Sequence, residues 1–143
     1  MKLQKALKYK KKLAGEIATL KSQIQSKNSV PEGSKVNYVV TELHDKLIMK
    51  MRDLIALKLS INTANVQIQE LIYKLSEMKG MINFWNSVST AEGSVNRGYS
   101  EAAAVNYIVV FNEVSKNEKI EFYQNEVDTI QEAIDTFNYT TEI

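Results

Sequence analysis

Two stretches of this chain place apolar residues at steps of three, four, three, four and three. The first is Ile68, Leu71, Leu75, Met78, Ile82 and Trp85, and the second is Ile120, Tyr123, Val127, Ile130, Ile134 and Phe137. That alternation is the seam of an α-helix burying one narrow stripe against another helix, and the two-residue period of a strand cannot produce it. A chain with two such seams is committed to helix-on-helix packing.

Two further segments agree. Residues 2–27 carry Leu3, Leu7, Leu13, Ala14, Ile17, Leu20 and Ile24 on one side, with Lys5, Lys8 and Lys12 roughly opposite. Pro31 and Gly33 mark a turn after them. Residues 36–61 then give a second stripe from Val40, Leu43, Leu47, Met51, Leu54 and Ile61. At Asn62 to Asn65 the pattern is interrupted: Asn62 suits a left-handed C-cap and Thr63 or Asn65 the next N-cap, although one continuous kinked helix also accommodates them. The single proline and five glycines leave such helices few breakers.

Between the two seams lies a different texture. "STAEGSVNRGYS" is a loop punctuated by Gly93 and Gly98, and "VNYIVVFN", Val105 to Asn112, is β-branched and aromatic enough to form a strand. A lone strand needs a partner, which predicts a short hairpin near residues 95–112, with the 95–100 region as the partner, or else pairing with another chain. Ser115 with Glu118 reads as a capping box opening the last helix. The expected fold is mainly α: one domain over residues 1–143, an antiparallel four-helix bundle of long amphipathic helices with a short β hairpin before the last helix.

The chain ends on Phe137, Asn138, Tyr139, Thr140, Thr141, Glu142 and Ile143, an apolar finish where ends are usually polar. Phe137 completes the seam, Asn138 is the expected C-cap, and Tyr139 and Ile143 are expected to dock on the bundle.

Chemistry is sparse. The absence of cysteine excludes disulfides and thiolate metal sites. His44 is the one histidine, too few for paired Glu-x-x-His iron motifs, and its neighbours Glu42 and Asp45 share a face from which it points away. No phosphate loop or calcium loop occurs, and no nucleophile is grouped with a base. These readings anticipate a protein that is not an enzyme, with no catalytic residues, cofactor or metal. No apolar run has the length of a signal core or membrane span, so a cytoplasmic location is expected.

Charge is the sharper signal. Residues 1–60 hold thirteen lysines and arginines against five acids, a net +8, and residues 61–143 hold five against twelve, a net −7. Either a basic patch awaits an anionic partner, or halves pair with each other. Lys2, Lys5, Lys8, Lys11 and Lys12 are the candidate contacts for an anionic partner, with an anionic membrane surface as one possibility. Nucleic acid is disfavoured because the acidic half would repel it. Ile48, Ile55, Ile72, Met81 and Phe122 fall off the main stripes. A second apolar face against another copy explains them, and self-association is expected.

Met1-Lys2-Leu3 at the start, Asn62 with Asn65 after the second stripe, and Asn138-Tyr139-Thr140-Thr141-Glu142-Ile143 at the close together resemble the septicolysin-like family of small bacterial and phage proteins. Members close on Asn-Trp-Thr-Thr-Glu-Leu, so Tyr139 replaces Trp and Ile143 replaces Leu. Ser76 to Met81 stands where the family often has an Arg-Asp pair. The resemblance spans the chain and implies a helical fold with a short β element. It transfers no catalytic residues, while the family name implies a cytolysin, a membrane-active or lipid-binding role through the basic first helix. The leading expectation is a structural or interaction protein.

Overall fold

The computed structural model describes residues 1–96 and 104–143. Three helical runs dominate. The first is α1, Leu3–Lys27; the second joins α2, Val40–Asn65, through one 3₁₀ turn, Val66–Ile68, to α3, Gln69–Ser87; the third is α4, Glu113–Thr140. Before α4, strands β1, Gly93–Asn96, and β2, Ala104–Tyr107, pair antiparallel from Gly93 opposite Tyr107 to Asn96 opposite Ala104. The mainly helical fold and the hairpin preceding the last helix match expectation, whereas the count is three helical runs rather than four separate rods.

Tight contacts group the described residues into two units, Met1–Gln67 with Thr136–Ile143, and Ile68–Asp135. In the first unit α1 and α2 form an antiparallel pair. Leu3 and Ala6 cluster with Ile61 at one end, Glu16 meets Lys50 midway, and Lys27 lies over the Tyr38 ring at the other. The turn between them closes with Ser34 N–H donating to the Pro31 carbonyl, and Gly33 supplies the positive φ of 82°. Leu3 and Leu13 are fully buried, and Leu7, Leu57, Phe137 and Ile143 pack around the Leu3 cluster.

Both chain ends join this cluster. Leu3 N–H donates to the Thr141 carbonyl and Ile143 N–H to the Met1 carbonyl, each at 2.9 Å, which makes a one-bridge antiparallel pairing of Lys2 with Glu142. The Met1 ammonium reaches the Ile143 carbonyl at 2.7 Å, and Lys2 Nζ lies 3.2 Å from Glu142 Oε1. Ile143 docks as expected, but Tyr139 is 69% exposed and Asn138 is no C-cap, because helix hydrogen bonding carries on to Thr140 and Thr141 N–H still donates to Phe137.

The second unit pairs α3 with the first part of α4, again antiparallel: Lys74 faces Glu126 and Trp85 faces Phe111. Ile68, Trp85, Val127, Ile130 and Ile134 are buried, so both seams point inward. Lys116 Nζ donates to the Val88 carbonyl at 3.0 Å and caps the open C-terminal end of α3. Asn112, one residue before α4, accepts the Ser115 N–H at 2.9 Å through Oδ1. Asn112 is thus the cap, and Ser115 lies one turn inside the helix.

Three other expectations give way. Asn62 is no left-handed C-cap: α2 runs on to Asn65, no residue but glycine has positive φ among the described residues, and hydrogen bonding tightens into the 3₁₀ turn Val66–Ile68. Met51 is exposed, lying roughly 90° around α2 from the line through Lys50, Leu57 and Ile61 that faces α1. The strand anticipated to reach Asn112 stops at Tyr107. Gly98 and the expected partner residues 97–100 lie outside the described residues.

Candidate interaction surfaces

The lysines singled out on α1 do not act as one free cluster. Lys2 is engaged by Glu142 and donates to the Thr140 carbonyl at 3.0 Å, and Lys12 sits 3.8 Å from Glu16. Lys5, Lys8 and Lys11 are exposed. The apolar side of this helix, Leu3, Ala6 and Leu13, is buried in the first unit, so the face that an interfacial membrane helix inserts is already occupied. His44 is exposed, with Nδ1 4.0 Å from Asp45 Oδ1. Among the described residues no group of His, Asp and Glu could hold a metal ion, and no helix is long and apolar enough to cross a membrane.

Sequence reasoning overlooked a charged contact inside the α1/α2 seam. Lys50 Nζ stands 2.7 Å from Glu16 Oε2, and the ammonium seals that oxygen from water. The hydrogen bond from Lys50 holds the Glu16 carboxyl below its ordinary value, and the same bond raises the Lys50 ammonium. A lysine among apolar positions reads as a flaw in the stripe, and only the glutamate on the partner helix explains it.

Large apolar side chains stand exposed in both units. On α2, Ile55 and Leu59 are 60% and 67% exposed, and half-buried Ile48 and exposed Met51 continue their line. This stripe lies on the side of α2 turned away from α1. Arg52 and Lys58, both exposed, flank Ile55 at about 60° on either side.

The second unit has its own apolar face. Val114 and Phe122 are 64% and 58% exposed on α4, and Phe111, Ile108 and Val110 are exposed just before the helix. A hollow of about 390 Å³ lies between Phe111 and Phe122, lined also by Ser115, Glu118, Lys119 and Tyr123. Lys119 lies over both the Phe111 and Trp85 rings, at 4.9 and 5.3 Å from their centroids. Of the residues expected to lie off the stripes, Ile55 and Phe122 are exposed, and Ile48, Ile72 and Met81 are half-buried.

The two units carry opposite charge. The first holds thirteen lysines and arginines against six acids, a net +7, and the second five against eleven, a net −6. Comparison of the chain with protein-family models, with curated proteins and with solved structures finds no match to any of them.

Proposed function

We propose that this protein is a non-enzymatic interaction protein that associates with copies of itself through apolar helix faces. The observation that carries the reading is the stripe of Ile48, Met51, Ile55 and Leu59, a helical seam presented to solvent rather than to α1. Scattered exposed apolar residues need no explanation, but a contiguous seam at helical spacing is a contact surface. Membership of the septicolysin-like family belongs to the same reading, supported by the sequence motifs Met1-Lys2-Leu3 and Asn138 to Ile143.

Sedimentation equilibrium tests it. The wild-type mass is expected above 16.3 kDa and rising through the micromolar range. Ile55→Asp with Leu59→Asp returns it to the monomer and keeps the helical circular-dichroism signal, since both side chains are solvent-exposed in the single chain. A wild-type chain that stays monomeric throughout overturns the proposal.

A further inference from the structure

We infer that this self-association is head-to-tail, the α2 stripe of one copy seating on the α4 face around Phe122 of the next. The inference rests on the self-association just proposed and specifies which surface meets which.

Among the described residues each unit has an apolar face open, on α2 and on α4, and charge favours one way of combining them. Pairing like with like sets +7 against +7 or −6 against −6, whereas pairing unlike faces sets +7 against −6. Screening over about 8 Å at physiological salt leaves only the rims of a contact to matter. Around Ile55 and Phe122 the rims agree with the net charges. Arg52 and Lys58 border Ile55 on α2, with one acid, Asp45, further back beside Ile48, while Glu118 and Glu121 border Phe122 on α4, and all are exposed. Lys119, the cation in the α4 hollow, is drawn over the Trp85 and Phe111 rings.

Shape supports the same pairing. The hollow between Phe111 and Phe122 is concave and aromatic, with Glu118 in its wall, while α2 offers Ile55 and Leu59 one turn apart on a convex ridge beside Lys58. An aliphatic knob entering an aromatic-walled hole with a lysine beside a glutamate is a complementary fit. Because the two faces differ, each added copy leaves one of each kind open, so assembly proceeds to a ring or an open chain.

Mixing two blocked variants tests the geometry. Ile55→Asp/Leu59→Asp blocks the α2 face and Val114→Asp/Phe122→Asp blocks the α4 face. Each alone is expected to be monomeric. Mixed one to one they form a complex of two chains that grows no further, because each retains the face the other lost. The complex dissociates as salt is raised. If the α4 variant assembles as wild type does, or if both are monomeric and their mixture stays so, head-to-tail contact is wrong while self-association stands. A monomeric wild type instead removes self-association itself. Charge reversal provides a second arm should the aspartates unfold the chain. Arg52→Glu/Lys58→Glu and Glu118→Lys/Glu121→Lys each lose assembly alone and regain it when mixed, and failure of the mixture to regain it overturns the pairing.

Discussion

Lys50 of α2 reaches Glu16 of α1 at 2.7 Å, an ion pair set into a seam otherwise made of aliphatic side chains. Lys12, one turn before Glu16, approaches the same carboxylate at 3.8 Å. An antiparallel pair of helices can slide by a heptad at little apolar cost, and one charged pair across the seam penalises every register but one.

The pH response of that pair has a defined sign. Glu16 is held below its ordinary value of 4.5, so its contribution is complete above 4.5 and disappears as pH falls through the lowered value. Lys50 is raised above 10.5, so its contribution is complete below 10.5 and disappears as pH rises through the raised value. The melting temperature of wild type should exceed that of Glu16→Gln across the interval between, and the gap should close below 4.5. A gap that persists in acid means the carboxylate charge plays no part.

Leu3 tests the first unit's core. It is fully buried among Ala6, Ile61, Leu7 and Ile143, so Leu3→Ala should cost about 2–5 kcal/mol. At several degrees per kcal/mol for domains of this size, the calorimetric midpoint should fall by about 10 °C or more. Lys8→Ala, at an exposed position outside the proposed interface, should leave it nearly unchanged.

The closing residues separate into docked and free side chains. Ile143→Ala should lower the melting temperature by several degrees, because Ile143 packs on the Leu3 cluster. Tyr139→Ala should not, because that ring is mostly exposed. Equal losses for both would mean that the tail contributes only through its backbone pairing with residues 1–3.

Trp85 reports on the second unit. It is buried, edge-on to Phe111 at 5.3 Å and to Phe84 at 5.4 Å, beneath the Lys119 ammonium. Phe111→Ala should shift its fluorescence to the red and increase quenching by acrylamide. Lys119→Met should lower the unfolding free energy by only about 0.5–1 kcal/mol, the value of a partly exposed cation–π contact.

The helical seams were legible because periodicity fixes direction: Ile68 to Trp85 and Ile120 to Phe137 all turn inward, and the Pro31-Gly33 turn stands where composition put it, with a hairpin before the last helix whose strands begin and end earlier than expected. Periodicity does not fix where the neighbouring helix stands, which is why Met51 is exposed while Lys50 faces Glu16. Ala6, fully buried in the cluster with Leu3 and Ile61, escaped notice because a small residue carries little hydrophobic signal. Local capping chemistry at Asn62 and Asn138 was outweighed by helices that simply continue. Of the interaction surfaces, the off-stripe Ile55 and Phe122 were visible in the sequence. The hollow beside Phe122 was not, because Phe111 reaches it from outside the helix.

The pairing of the two ends has a kinetic meaning. Contacts within each helix pair nest around one turn or one hairpin and close short loops first. The hydrogen bonds joining Met1 to Ile143 and Lys2 to Thr140 link residues 142 and 138 positions apart. Contacts so distant are expensive in loop entropy and form only after nearer ones have brought the ends together. They therefore act as a latch on the finished fold, one that slows its opening and leaves the speed of its making unchanged.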